Sequence, residues 1–289
     1  MKDQPFNSES SDNQPRVEIP NLKERYDNYI ERNLPVRDMS GNLLNGTSFC
    51  RYPIGQLWFV GTFKDGIPHG LFELYKENGN LEWRRTYINR DLEGPIEEYY
   101  ENGQLEVKGT MKGGERNGLF EEYKETGQLR WKGTYKDGVI DGQFERYYEN
   151  GQLMWRGTDK DGELEGQFER YYENGQLMLR ESYKDGVEDG PFEWYQENGQ
   201  LEKKETYKDG VENGPFEEYH ENGQLEYIKT YKDGVEHGPF EWYHENGQLW
   251  SKGTIKKGVE QGRLEVYNED GSVDTEGTGI FRDGVKVSD

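Results

Sequence analysis

Carboxylates are the most abundant chemistry on this chain: 58 aspartates and glutamates face 36 lysines and arginines, for a net charge of −22. Many recur at a fixed spacing. One column holds Glu73, Glu97, Glu121, Glu145, Glu169, Glu193, Glu217, Glu241 and Glu265, and a second runs from Glu77 to Glu269. Paired carboxylates can do general acid–base work, but here they pair everywhere, so no pair is singled out. A repeated column fits instead an acidic rim, whose like charges repel weakly about 10 Å apart because the Debye length is about 8 Å. Such a rim keeps a sheet edge from associating, or offers a track to a basic protein surface. The histidines are His69, His220, His237 and His244, and His220 and His244 share one column, one repeat apart. No HExxH, GxSxG or Cys/His ligand spacing occurs. The Lys-Asp-Gly triplets lack the acidic ladder of a calcium loop, and the lone Cys50 excludes an internal disulfide. No catalytic, cofactor-binding or metal residue is assigned, and an enzyme is not expected.

Recognition chemistry remains. Tryptophan and arginine dominate interface hot spots, and both change from repeat to repeat. Tryptophan appears irregularly, Trp155 included; the position of Trp83 and Trp131 is Val107, Leu179, Lys203 or Tyr227 elsewhere, and that of Trp194 and Trp242 is Arg146, Arg170 or Glu218. Trp131, Arg146, Trp155, Arg170, Trp194 and Trp242 are therefore the candidate partner-binding residues.

The elements that must position them follow from the period. A glycine recurs without slip from Gly55 to Gly271 at 24-residue intervals, which marks a repeat architecture. Two turn signals divide each unit. Asn-Gly, as in Asn150-Gly151, suits a type I′ hairpin turn; Lys-Asp-Gly, as in Lys136-Asp137-Gly138, marks the other. Between them lie two runs of strand length and composition. A 24-residue unit is too short for a βαβ element. The expected fold is all-β: an elongated, single-layer, twisted antiparallel sheet of about ten stacked β-hairpin repeats over residues 54–287. Alternation places Leu129, Trp131, Gly133 and Tyr135 on one face. Phe144 and Tyr147, three apart, should point to opposite faces, so a bulge or an irregular strand start is expected in the second strand. The unbroken tyrosine column (Tyr75 to Tyr267), the leucine column and the phenylalanine column (Phe72, Phe120 to Phe240) build the array.

Ahead of the array, residues 1–19 are polar enough for a disordered arm. Residues 20–35 suit an amphipathic capping helix, with Leu22, Tyr26, Tyr29 and Ile30 on one face, a capping-box spacing at Asn21–Glu24, and Pro35 as its stop. Residues 36–53 form a degenerate lead-in. At 33% charged and 31% hydrophobic, with mean hydropathy −1.18, the chain is too polar for a thick core, yet its 14% of aromatics opposes disorder. The negative field disfavours nucleic acid and anionic membranes and favours a basic partner. No apolar leader or spanning run is present, so a cytoplasmic location is the expectation.

The template quoted from Tyr207 to Leu225, YKDGVENGPFEEYHENGQL, resembles the variant form of the MORN repeat over about residues 54–287. That resemblance implies stacked β-hairpins. It also implies a protein-binding role like that of bacterial antitoxin or immunity proteins, here sequestering a basic, toxin-like protein. Elsewhere such repeats serve as scaffolds, dimerisation modules or proposed phospholipid binders; the net charge and the lack of a basic patch oppose the lipid role, which leaves a self-associating scaffold as the alternative.

Overall fold

The computed structural model describes residues 16–289, so most of the expected disordered arm lies outside the described residues. The chain divides into two compact units, Met1–Val139 and Ile140–Asp289, each an open sheet of repeated antiparallel hairpins.

The first unit begins with β1 (Val17–Glu18), followed by α1 (Leu22–Arg32) and β2 (Gly46–Arg51). β1 lies parallel to β2, with Val17 opposite Ser48, so the end of the arm is a strand. Then come β3 (Leu57–Lys64), β4 (Ile67–Tyr75), β5 (Leu81–Ile88), β6 (Asp91–Tyr99), β7 (Leu105–Lys112), the broken pair β8 (Glu115–Arg116) and β9 (Gly118–Tyr123), and β10 (Leu129–Lys136). β2 pairs with β3 from Gly46 opposite Phe63, a register that Gly70 opposite Tyr87 reproduces one repeat later. The lead-in therefore supplies a strand in phase with the repeats. In the second unit, strands such as Leu201–Lys208 and Leu225–Lys232 alternate with returns split in two, as in Val211–Glu212 and Gly214–Tyr219. The split is the irregular start expected of the second strand: Asn213 leaves the ladder, and its N–H donates to Thr206 O.

The type I′ turn lies at Lys-Asp-Gly and not, as expected, at Asn-Gly. At Lys-Asp-Gly both central residues have positive φ (Asp137 47°, Gly138 84°), as a type I′ turn requires. At Asn102-Gly103 only the glycine does, at 82°. Gly103 N–H donates to Tyr100 O and Tyr100 N–H to Gln104 O, which is a type I turn closed by a left-handed glycine in a three-residue loop. Asparagine is favoured there by its side chain. Asn102 Oδ1 accepts from Gln104 N–H at 2.9 Å, and its Nδ2 donates to Glu125 O of the next hairpin at 2.8 Å.

A bulge also lies in the first strand, where none was expected. Trp131 pairs with Glu122 but Leu129 with Tyr123, so Arg130 is the extra residue and the first strand of the hairpin carries the bulge. One inserted residue reverses the alternation. Leu129 consequently shares a face with Tyr123, opposite Trp131, rather than with it.

α1 departs from expectation at both ends. Asn21 sits at φ 59° and makes no side-chain cap, and Asn33 (φ 56°) ends the helix through its N–H to Tyr29 O, ahead of Pro35. Leu22, Tyr26 and Tyr29 are buried; Ile30 is 56% exposed. Eleven residues are too few for a stable isolated helix, so packing holds it. Tyr26 lies 5.1 Å from Phe59 and 5.3 Å from Phe72 between ring centroids, and its hydroxyl hydrogen-bonds to that of Tyr87 at 2.9 Å. These side chains, with Ile19, Val36, Leu44 and Phe63, form one buried cluster.

Candidate functional site

Cross-strand partners share a face, so the register sorts every column. One face carries the phenylalanines. On it, the second unit sets a continuous row through consecutive pairings: Arg146, Trp155, Arg170, Leu179, Trp194, Lys203, Glu218, Tyr227, Trp242, Ser251 and Val266. Five of the six candidate binding residues stand in this row. The sixth, Trp131, stands in the corresponding row of the first unit, opposite Glu122. The two variable columns seen in the sequence are thus neighbours. A two-strand repeat brings position 155 of one hairpin against position 170 of the next.

The row is half-buried and chemically mixed. Arg146 and Arg170 are exposed, with the Arg170 guanidinium 5.3 Å from the Phe168 ring. The Lys203 ammonium lies between the Trp194 and Phe216 rings, at 4.9 and 5.0 Å, in cation–π range. Tyr227 stacks on Phe216 at 5.3 Å and on Trp242 at 4.3 Å. Trp250, beside Trp242 at 6.0 Å, is 46% exposed. Trp250, absent from the sequence candidates, occupies the bulge position, which alternation alone assigns to the other face.

A second row on this face also escapes a reading of the sequence alone. Beneath the phenylalanine rings most repeats have glycine, as at Gly157, where a Cβ would lie 2.7 Å from Phe144 Cζ and 2.9 Å from Phe168 Cδ2. Four repeats replace it with Arg85, Glu181, Glu205 or Lys229. Glu205 is 5% exposed and pairs with Lys203, while Tyr207 donates to it at 2.8 Å. Burial raises the Glu181 pKa, with Arg170 opposing in part, and its Oε2 has no hydrogen-bond partner. The signal is present in the sequence: a turnless glycine column that some repeats fill with charge.

The opposite face corrects the acidic-rim expectation. Within each unit, the glutamates of the Glu73-to-Glu265 column run along the middle of the sheet, each across from a cation or between two. Arg84 Nε and Nη1 reach Glu73 and Glu97, both at 2.9 Å. Arg180 bridges Glu169 and Glu193 at 3.1 and 3.0 Å. Arg156 pairs with Glu169 at 2.6 Å, Lys252 with Glu265 at 2.9 Å, and Lys108 with Glu121. The tyrosine two residues on donates to each carboxylate, as Tyr99 to Glu97 at 2.9 Å, Tyr195 to Glu193 at 2.9 Å, and Tyr147 to Glu145. Burial and then the hydrogen bond to Glu97 push Tyr99 up to about 12, and Tyr75 and Tyr171 likewise. Burial opposes the charge on Glu169, yet the Tyr171 hydroxyl and two guanidiniums hold its pKa below the usual carboxylate value. This ladder is architecture. It breaks once, where Ile228 stands between Glu217 and Glu241.

His220 and His244 act alike. Each places Nε2 3.1 Å from the tyrosine carbonyl of the next hairpin, at Tyr243 and Tyr267, where Tyr148 and Tyr172 use a hydroxyl. Among the described residues no helix is long and apolar enough to cross a membrane.

Comparison with known proteins agrees with the hairpin array. Among curated proteins none matches the chain. Similar solved structures include a crystal structure of TcdB2-TccC3, 14% identical with a TM-score of 0.22, and the Photorhabdus luminescens Tc holotoxin pore, 15% identical with a TM-score of 0.21. Each match covers 76% of this chain but only 14% of the other, so this chain spans about a seventh of those proteins. At such TM-scores the likeness carries no argument. The family model described as MORN repeat variant matches seven segments, residues 92–112, 116–137, 140–154, 164–185, 188–209, 212–233 and 236–257. These amount to about half of the chain, in phase with the hairpins seen here, and the chain belongs to the MORN repeat variant family.

Proposed function

We propose that this chain is a non-enzymatic protein-binding array of antitoxin or immunity type, which captures a basic protein through the phenylalanine face of its second unit. The supporting observation is the continuous row from Arg146 to Val266. It gathers the side chains that differ between repeats onto one face, half-exposed and rich in tryptophan and arginine, the residue types that carry interface energy. The other face repeats nearly the same Glu–Tyr–cation unit and offers little to distinguish partners. A net charge of −22 supplies steering toward a basic partner.

The test is capture from the native host on the immobilised chain, followed by identification of the bound protein. The expected partner is basic, and its association weakens steeply between about 50 and 500 mM salt, where screening shortens the reach of charge. Arg170→Glu and Trp194→Ala should each lower its affinity at least tenfold, while Lys252→Gln on the opposite face leaves it unchanged. An acidic partner, or one indifferent to the two row variants, refutes the reading. A concentration-dependent oligomer by light scattering, with no captured partner, would favour a self-associating scaffold instead.

A further inference from the structure

We infer that the Tyr227–Trp242–Trp250 surface of the second unit is the seat of a basic amphipathic α-helix presented by the partner, an inference that rests on the protein-binding reading above. The first unit displays the same kind of seat filled. There α1 lies on the phenylalanine face with Tyr26 against Phe59 and Phe72. Seven repeats further along, those two columns reach Tyr227 and Phe240. Among the described residues of the second unit, the aromatic surface has no such cover from its own elements: Trp250 is 46% exposed, and Tyr227 and Trp242 are half-exposed.

Charge identifies the occupant further. Beside the stacked rings opens a cavity of about 540 Å³, lined by Glu202, Glu218, Glu221, Glu226 and Glu245, with no lysine or arginine in its wall. Glu218 is the cross-strand partner of Tyr227, so the acidic cavity and the aromatic surface are contiguous. An apolar stripe flanked by lysine or arginine fits both at once.

The backbone excludes the usual alternative. An extended peptide gains affinity by pairing with a free strand edge, but the strands Leu225–Lys232, Gly238–Tyr243 and Leu249–Lys256 pair with one another here. Their N–H and C=O groups are already used. A helix satisfies its own backbone and needs only side-chain contacts, as α1 does. Three adjacent strands about 4.8 Å apart present a seat roughly two helical turns long.

Isothermal titration of the intact chain with four sixteen-residue peptides tests this. One is a leucine/lysine amphipathic helix, the second a scrambled peptide of the same composition, the third its leucine/glutamate counterpart, and the fourth the lysine helix interrupted by two prolines. The lysine helix should bind one to one, and the other three at least tenfold more weakly. Trp242→Ala with Trp250→Ala should weaken the lysine helix at least tenfold. Glu218→Gln with Glu226→Gln, near-isosteric changes on the surface, should weaken it at least fivefold and flatten its salt dependence. Equal binding of the scrambled peptide, or parental affinity in both double variants, overturns the inference. If the proline peptide binds as tightly and the tryptophan variant weakens it, the helix is wrong while the protein-binding face stands. No binding by any peptide overturns the helix, and the capture experiment then judges the face separately.

Discussion

The first hairpins of the first unit and the hairpins of the second unit are built from one template, yet they differ on a single face. On the first, α1 and the rings beneath it leave Phe59 and Phe72 with no exposed surface. On the second, Phe144, Phe192, Phe216 and Phe240 remain buried by their own neighbours, but the adjacent row of variable residues stays half-open. The tyrosine face is alike in both: Arg84 bridges Glu73 and Glu97 just as Arg180 bridges Glu169 and Glu193. What both regions share holds the array together, and what differs between them is where a partner can be recognised.

The largest effect that can break this contrast is a pair of core deletions. Phe72 has four rings, those of Tyr26, Phe59, Phe63 and Tyr87, with centroids 5.1–5.8 Å away. Phe72→Ala should cost about 3–5 kcal/mol in urea unfolding. Phe240→Ala, in the open region, should cost measurably less, because fewer rings line the void it leaves. Equal costs would mean that α1 contributes nothing to the packing below it.

A smaller effect tests the same contrast by overfilling. A Cβ on Gly61 would lie 2.4 Å from Phe72 Cε1, and one on Gly157 2.7 Å from Phe144 Cζ. Overpacking of this kind costs about 1–3 kcal/mol. Gly61→Ala should stand at the upper end, since α1 blocks the ring from moving outward, and Gly157→Ala at the lower end. The reverse order, read from the same urea curves, would show that the open rings are the more tightly held.

Much of this was legible in the sequence, and the misses have physical causes. The period gave the hairpins, and Leu22, Tyr26 and Tyr29 gave the helix and its buried side. Alternation failed at Arg130 because a one-residue bulge reverses every side chain beyond it, so Leu129 was placed on the wrong face. The Glu73 column looked like a rim because a column shows recurrence without showing what lies across the sheet. The partner was nevertheless encoded: Arg84 falls almost midway between Glu73 and Glu97, and that alternation persists through Lys108, Arg156 and Arg180. Folding the period into two strands would have paired them. The six candidate residues stand out by type and variability, and only the register could reveal that five share one row.

The shared tyrosine face predicts an alkaline limit common to both units. Tyr75, Tyr99, Tyr171 and Tyr219 are raised from 10.0 to about 12, chiefly by burial and then by their glutamate partners. A group whose folded pKa is raised contributes stability that is complete below the unfolded value and is lost as pH rises through the folded one. Stability should therefore fall between about pH 10 and 12, with tyrosinate absorbance appearing as the far-ultraviolet strand signal is lost. Tyrosinate forming near pH 10 in a chain that keeps its full stability would contradict the buried hydrogen bonds.

The smallest effect probes the one break in that ladder. Glu217 and Glu241 keep the hydroxyls of Tyr219 and Tyr243, but among the described residues neither has a lysine or arginine within ion-pair distance: Ile228 fills the position between them, and Lys204 and Lys252, on their far sides, turn to Glu193 and Glu265. Ile228→Arg should restore the alternation, its guanidinium bridging two carboxylates as Arg84 does. Cross-strand charge pairs contribute about 0.2–1 kcal/mol each, and half-exposed pairs stand toward the lower end. A gain below about 1 kcal/mol is expected at low salt, shrinking toward zero at 1 M, where the Debye length is about 3 Å. A loss of stability would mean that the isoleucine packs better than the arginine pairs. The tyrosine face would then rest on burial more than on charge, and the likeness of the two units there would be a likeness of packing.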